Sequence, residues 1–131
     1  STYESDEPID VSLTTPSFTL APASDVGGAL GAAFWLNLST EWDGQLYANP
    51  AGIDRLSVSV VQGPVSTEVW SSDAIGGSTS GLWESVEIDL EDWAAAPIQL
   101  RFAFKTTDSV NNGFVGPIID ALKVGRICPL D

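Results

Sequence analysis

The sequence predicts an all-β protein, an antiparallel β-sandwich that forms a single domain. Two observations support this prediction. Apolar residues recur at every second position in most segments, which is the period of a strand with one buried face. Turns rich in Gly, Pro and Asn separate these segments, and about seven to nine short strands of this kind are typical of an antiparallel sandwich. A chain of 131 residues is long enough for one such domain and short for two.

The N-terminal residues are polar, and the first predicted strands come after them. Residues 1–8 are polar and acidic and are expected to be a linker or a frayed terminus. The sandwich is expected to span residues 9–125, followed by a tail over residues 126–131. Short alternating patterns predict the first two strands at residues 9–13 and 17–20.

The clearest alternation of the N-terminal half lies at residues 29–38. Its apolar face consists of Leu30, Ala32, Phe34, Leu36 and Leu38. Residues 41–50 are predicted to form a loop, which holds a short strand at residues 45–48. The next strand is predicted at residues 55–61, and Gly63-Pro64 ends it.

The second half repeats the same pattern. Strands are predicted at residues 67–71, 82–90 and 98–105, and the last of these is the most regular. The inward positions predicted for the strands at residues 55–61, 82–90 and 98–105 are Leu56, Val58, Val60, Val86, Ile88, Leu90, Leu100, Phe102 and Phe104. The Gly- and Ser-rich residues 75–81 are predicted to form a flexible loop. Residues 91–97 are predicted to form one short helical turn. The closing strand is predicted at residues 114–124, after an Asn112-Gly113 turn signal.

The charge of the chain excludes several classes of partner. Eighteen acidic and five basic residues give a formal net charge of −13. Such a chain repels phosphate backbones and anionic membrane surfaces, so nucleic acid is not expected as a partner. No apolar run approaches the roughly 20 residues that span a bilayer, so membrane insertion is not expected either. With no His, the chain cannot form a Ser-His-Asp or Cys-His catalytic site.

The cysteine content bears on the context of the domain. Cys128 is the single cysteine, so no disulfide can form within the chain. It is expected either to pair with a neighbouring domain covalently linked in a larger parent protein, or to be a free thiol. The sequence starts without an initiator Met or a signal peptide, which favours a domain cut from something larger.

One long stretch of the sequence resembles a known family. The run W-x-x-V-x-I-D-L-x-x-W-A-x-x-x-I-Q-L-R-F-A-F, a D-x-x-N-N-G loop and G-x-I-I-D-A-L-K-V are similar to the MAM-like, concanavalin A-like jelly-roll modules of bacterial secreted and surface proteins. The resemblance covers most of residues 28–125. It implies a non-catalytic, extracellular jelly roll, found beside hydrolases or in adhesins, which binds glycans or proteins and in some members a calcium ion. Pro117 and Ile118 depart from the aromatics that are common there, and Ala121 replaces the second residue of a frequent Asp-Asp pair.

Asp120 is the most unusual residue of the closing strand. By alternation it shares a face with Ile118, Leu122 and Val124, so its carboxylate must be hydrogen-bonded, paired or metal-bound. Two interpretations remain open, a Ca²⁺ ligand and an acceptor for loop N–H groups. Calcium binds six to eight oxygens. The candidate ligands are Asp120, Asp108, Asn111, Glu41, Asp43 and Asp25.

A second candidate site is expected to bind an organic ligand and not a metal ion. The outward positions of the two strongest strands combine an aromatic ring with polar groups, at Trp35, Asn37, Gln99, Arg101 and Lys105. If these strands are neighbours, the face suits a glycan. The alternative is that Arg101 and Lys105 pair across strands with Glu87 and Asp89. Trp42 and Tyr47 flank a predicted loop and are expected to be exposed, so they are further candidates.

The other tryptophans, Trp70, Trp83 and Trp93, are expected to close the core. The sequence therefore leads to two functional hypotheses. The first is a non-enzymatic extracellular module that binds a glycan or a cell-surface ligand, with calcium as a stabilising ion. The alternative is a structural accessory or adhesion domain beside a secreted hydrolase, with no ligand of its own.

Overall fold

The computed structural model describes residues 10–21, 29–40, 54–106 and 116–127. They form eight strands and two short 3-10 turns. The strands are β1 (Asp10–Thr14), β2 (Phe18–Thr19), β3 (Ala29–Ser39), β4 (Arg55–Gln62), β5 (Val65–Ser71), β6 (Trp83–Asp89), β7 (Pro97–Lys105) and β8 (Gly116–Ile127). The 3-10 turns are Ser72–Ile75 and Glu91–Trp93. No described helix is long and apolar enough to cross a membrane.

The strands form two antiparallel sheets. One sheet has the order β1-β7-β4-β5, with β2 also paired to β7, and the other has the order β6-β3-β8. The two sheets pack against each other, so the predicted β-sandwich is confirmed. The jelly-roll connectivity stays a prediction.

A single apolar core lies between the sheets. Each of the central strands places alternate side chains into it, as the sequence pattern predicts. The buried apolar residues are Leu20, Leu30, Ala32, Phe34, Leu36, Leu38, Leu56, Val58, Val60, Val86, Ile88, Leu90, Ile98, Leu100, Phe102 and Phe104. The inward positions predicted for β3, β4, β6 and β7 are thus confirmed.

Phe34 joins the two sheets at the centre of this core. Its ring meets Phe102 of β7 edge to face, with ring centroids 5.4 Å apart. It also meets Trp70 of β5 edge to face at 6.0 Å. Edge-to-face contacts of this kind add stability beyond the apolar area that they bury.

The loop before β6 does not match the flexible loop predicted at residues 75–81. Thr79 is buried, and its hydroxyl accepts a hydrogen bond of 2.8 Å from the backbone N–H of Leu38. The backbone N–H of Thr79 donates in return to the Leu38 carbonyl, also at 2.8 Å. Thr40 donates from its hydroxyl to the Gly77 carbonyl. These bonds hold the loop against the end of β3, which the Gly and Ser content alone did not indicate.

The predicted strand boundaries agree with the structure to within a few residues. β8 continues to Ile127, three residues beyond the strand end predicted at residue 124. The helical turn predicted at residues 91–97 is present as the 3-10 turn Glu91–Trp93. The predicted linker at residues 1–8, the short strand at residues 45–48 and Cys128 lie outside the described residues.

The predicted face of Asp120 is right for Ile118, which lies on the same side of the sheet, and wrong for Val124, because the alternation is interrupted between Asp120 and Val124. Asp120 pairs with Trp35 and Lys123 pairs with Ala33, so β8 uses one more residue than β3 between these pairs. Ala121 takes a left-handed backbone conformation at this bulge, with φ of 54°. As a result Val124 pairs with the buried Ala32, whereas Asp120 lies on the solvent side of the sheet.

Candidate ligand-binding face

The outer face of the three-stranded sheet is built of two adjacent rows of side chains. Residues that pair across strands project from the same side of a sheet. In one row, Ser85 of β6, Trp35 of β3 and Asp120 of β8 lie side by side. In the next row, the residues are Trp83, Asn37 and Ile118. We call these six residues the tryptophan face.

Both tryptophans of this face are open to solvent. Trp35 is 45% exposed and Trp83 is 48% exposed. Because Trp83 pairs with Asn37, two residues along β3 from Trp35, the two tryptophans are diagonal neighbours, with Cα atoms roughly 7–8 Å apart and Cβ atoms somewhat closer. Ile118, which is 45% exposed, extends the apolar area at the far side of Asn37. The face therefore presents two large rings next to each other on a rigid strand framework.

Polar groups border the two rings. Asn37 donates from its Nδ2 to the Gly81 carbonyl at 2.9 Å, which ties the face to the loop that leads into Trp83. This bond orients the amide, and its carbonyl oxygen makes no hydrogen bond to a described residue. Ser85 is exposed on one side of Trp35, and Asp120 is exposed on the other. A hydroxyl, an amide and a carboxylate thus surround the aromatic area.

The bulge at Ala121 sets the position of Asp120. The Oδ1 atom of Asp120 accepts a hydrogen bond of 2.8 Å from the backbone N–H of Ala121. This contact fixes one carboxylate oxygen in the bulge. β-Bulges commonly redirect a side chain at a functional position. Without the additional residue, the regular alternation would place different side chains beside Trp35.

The outward positions around the tryptophan face carry more negative than positive charge. Beyond Trp35, the next row holds Glu87 and Lys123 on either side of Ala33, and Asp89 follows Glu87 on β6. Asp89 is partly engaged, because its Oδ1 accepts from the backbone N–H of Glu91. Among the outward positions of the three described strands, Lys123 is the one cation.

The structure separates the residues that the sequence grouped into one ligand face. Trp35 and Asn37 lie on β3, whereas Gln99, Arg101 and Lys105 lie on β7 of the other sheet. Because the outer faces of two packed sheets point in opposite directions, these two groups cannot contact one ligand together. Trp42 and Tyr47 lie outside the described residues.

The alternative pairing of the β7 cations with β6 acids is wrong for the same topological reason. Arg101 is paired in register with Thr14 and Ser59, and its Nε lies 3.4 Å from the Thr14 hydroxyl. Lys105 pairs in register with Asp10 on one side and with Arg55 on the other. Glu87 belongs to the opposite sheet.

Arg55 has a structural environment that the sequence did not indicate. Its guanidinium donates two hydrogen bonds to Glu68, of 2.6 and 2.8 Å, and one of 2.9 Å to Asp73. The hydrogen bond to Glu68 is the main cause that raises the pKa of Arg55 above its ordinary value. The guanidinium of Arg55, at the start of β4, is therefore engaged by acidic side chains of the same fold.

The predicted calcium ligands are not assembled by the described residues. Asp120 is exposed, and no group of three or more acidic or cysteine side chains able to hold a metal is present in the described part of the chain. The other predicted ligands lie outside that part. They are Asp108, Asn111, Glu41, Asp43 and Asp25. Calcium binding stays a prediction.

Trp83 is the residue of this face that sequence reasoning assigned wrongly. It was expected to close the core, yet it is among the most exposed large side chains of the described residues. Trp70 and Trp93 do pack against the core, as expected. The alternation of β6 could have shown that Trp83 is exposed. Val86 and Ile88 are inward, so Trp83, which is three residues before Val86, is an outward position.

A second apolar surface lies between the edges of the two sheets. Here β1 and β8 border a cleft of about 310 Å³. Val11 and Leu13 point to the inner side of their sheet, since they pair with Phe104 and Phe102, yet they are 57% and 69% exposed. The sandwich is therefore less completely closed at this edge than at the edge where Trp70 meets Phe34.

Comparisons with known proteins do not identify a family. No protein-family model matches the chain, and no curated protein matches it. The resemblance to MAM-like jelly-roll modules stays a prediction.

Proposed function

We propose that this protein is a non-catalytic extracellular β-sandwich module that binds a glycan through its tryptophan face. The observation that supports this proposal is the exposure of Trp35 and Trp83 on the same face of adjacent strands. A contiguous patch of exposed apolar side chains with a polar rim is typical of an interaction surface.

The composition of the face matches the chemistry of a sugar. A pyranose ring has an apolar surface made of C–H groups, and it carries hydroxyls at its edge. An indole ring covers the apolar surface, and its own edge remains available for polar contacts. The hydroxyl of Ser85, the amide of Asn37 and the carboxylate of Asp120 lie where they can bind the hydroxyls.

The shape of the face favours a chain over a small molecule. Small-molecule sites are concave and bury most of their ligand. The tryptophan face is the outer surface of a sheet, and its two rings lie on neighbouring strands. A polysaccharide that crosses the strands can contact both rings with successive sugar units, each of which contributes part of the binding free energy.

The test is a binding panel of soluble polysaccharides by affinity electrophoresis, with single-tryptophan variants. Trp35→Ala and Trp83→Ala are each expected to weaken binding at least roughly fivefold, the effect of removing an interface contact worth above about 1 kcal/mol. Arg101→Ala is the matched control, because Arg101 lies on the outer face of the other sheet. Binding that survives both tryptophan variants, or that depends on Arg101, would contradict the proposal.

A structural accessory or adhesion role, with no ligand of its own, is the second candidate. The observation that favours it is the cleft between β1 and β8, where Val11 and Leu13 are inward-facing and exposed. An apolar surface of a neighbouring domain would cover this cleft. In the full-length parent protein, Leu13→Ser would then lower the melting temperature of that neighbouring domain. Unchanged melting of the neighbour, together with glycan binding by the isolated module, would reject this role.

Calcium stabilisation of the module is proposed from the sequence resemblance and is tested by thermal melting. An ion that binds the folded state and not the unfolded chain raises the melting temperature by mass action. We expect a melting temperature several degrees higher in calcium than in a chelator. Equal melting temperatures in the two conditions would reject calcium as a cofactor and leave the glycan proposal unaffected.

A further inference from the structure

We propose that the tryptophan face selects glycans that carry protonated amines, such as polymers of amino sugars without N-acetyl groups, and that Asp120 is the residue that recognises the positive charge. This inference rests on the proposed glycan-binding function and names its ligand class. It depends on the direct pairing of Asp120 with Trp35 across β8 and β3.

The combination of an exposed indole and an exposed carboxylate is suited to a cation. The face of an indole attracts a positive charge through its quadrupole, most strongly among the aromatic side chains. A carboxylate beside the ring supplies a charge-assisted hydrogen bond to an ammonium group. Because Asp120 is the cross-strand neighbour of Trp35, a sugar that lies on this ring has its substituents within reach of the carboxylate.

The local geometry prepares Asp120 for this role. The backbone N–H of Ala121 donates to Oδ1, so that oxygen is already engaged, and Oδ2 makes no hydrogen bond to a described residue. The bulge that places the side chain contains a non-glycine residue in the left-handed region, an uncommon conformation for Ala. Strained backbone of this kind is found preferentially at functional positions.

The surrounding charge favours the same ligand class. Glu87 and Asp89 lie on the same side of the sheet as the tryptophan face, against the single cation Lys123 at the described outward positions. The whole chain carries a formal net charge of −13. A polyuronate or a sulfated glycan would be repelled both by this field and by Asp120 itself, whereas a polycation would be attracted.

The experiment measures binding of three probes by isothermal titration at a pH where the amines are protonated. The probes are a glucosamine oligosaccharide, its fully N-acetylated counterpart and an oligouronate of similar length. The intact protein is expected to bind the amine-bearing probe about fivefold more tightly than the acetylated one, the size of one exposed charge pair, and to bind the uronate least. Asp120→Asn should remove this preference.

Two further variants distinguish the local effect of the Asp120 carboxylate from the effect of the net charge of the protein. Asp92→Asn makes the same change in net charge at an exposed residue of the Glu91–Trp93 turn, outside the paired strands, and should keep the preference. Lys123→Gln removes the cation near the face and should strengthen binding of the amine-bearing probe. The salt dependence of the intact protein is a third measurement, since added salt should weaken binding of the amine-bearing probe far more than binding of the acetylated one.

The outcomes separate this inference from the proposal on which it rests. Loss of the preference in Asp120→Asn but not in Asp92→Asn would support both. Equal binding of the amine-bearing and acetylated probes, still dependent on Trp35 and Trp83, would overturn the amine selectivity and leave glycan binding in place. Binding of none of the probes or polysaccharides would overturn both.

Discussion

Phe34 and Phe102 meet edge to face between the two sheets, with ring centroids 5.4 Å apart. Trp35, the next residue along β3, points to the opposite side and is nearly half exposed. Two consecutive aromatic residues of one strand therefore have different roles. The first stabilises the sandwich, and the second belongs to the tryptophan face.

These two residues give a matched pair of variants. Phe34→Ala should lower the free energy of unfolding by roughly 3–5 kcal/mol, because it leaves a cavity in a close-packed core. Trp35→Ala should lower it by less than about 1 kcal/mol, as for an exposed strand position. Urea unfolding followed by intrinsic fluorescence measures both. Comparable losses for the two variants would contradict the assignment of their faces.

The hydrogen bonds between Thr79 and Leu38 predict that the loop before β6 is stabilising. Thr79→Val keeps the shape of the side chain and removes the hydroxyl that accepts from the Leu38 N–H at 2.8 Å. The buried N–H then lacks its acceptor, which should cost about 1–3 kcal/mol of unfolding free energy. Thr67→Val, at an exposed position of β5, is the control and should be nearly neutral. A neutral Thr79→Val would show that water replaces the bond.

The bulge at Ala121 predicts that an Ala→Gly substitution affects stability differently at Ala121 and at Ala103. Ala103→Gly, in the regular strand β7, should lower the unfolding free energy by about 0.5–1 kcal/mol. Ala121→Gly should be neutral or stabilising by up to about 1 kcal/mol, because Gly relieves the left-handed conformation at φ of 54°. Chemical denaturation of the two variants checks this. A larger loss at Ala121 would mean that β8 does not form the bulge.

The contacts of Arg55 with Glu68 and Asp73 predict a modest contribution to stability that depends on salt. Arg55→Lys keeps the charge and loses the two-pronged geometry toward Glu68. The expected loss is about 0.5–1 kcal/mol at low salt, since these side chains are partly exposed, and it should shrink at high salt. Melting curves at two ionic strengths measure it, and an equal loss at both would argue against an electrostatic origin.

The sequence predicted the strands well, for a simple physical reason. An alternating pattern such as that of Leu100, Phe102 and Phe104 has one stable solution, a strand with one face in a core. Each inward position predicted for the central strands is buried in the structure. The same alternation also predicts an outward position for Trp83. The general expectation that tryptophans are buried led to the opposite assignment.

The candidate site was less predictable, because it depends on which strands are neighbours and on one interrupted alternation. The alternation of β3 and β7 is the same whether they lie in one sheet or two, so Trp35 and Arg101 were grouped although they lie on opposite outer faces. The additional residue at Ala121 has no signature in a single sequence, and it places Asp120 and Val124 on opposite sides of the sheet.

The amino-acid sequence alone determined that this chain forms strands, which side of most strands is apolar, and that the surface is strongly acidic. These properties follow from the period of the chain and from its composition. Only the tertiary structure decided that Trp35, Trp83 and Asp120 share one surface. Their proximity depends on the pairing of β6, β3 and β8, which are distant in sequence, and on a local change of register that side-chain periodicity does not encode.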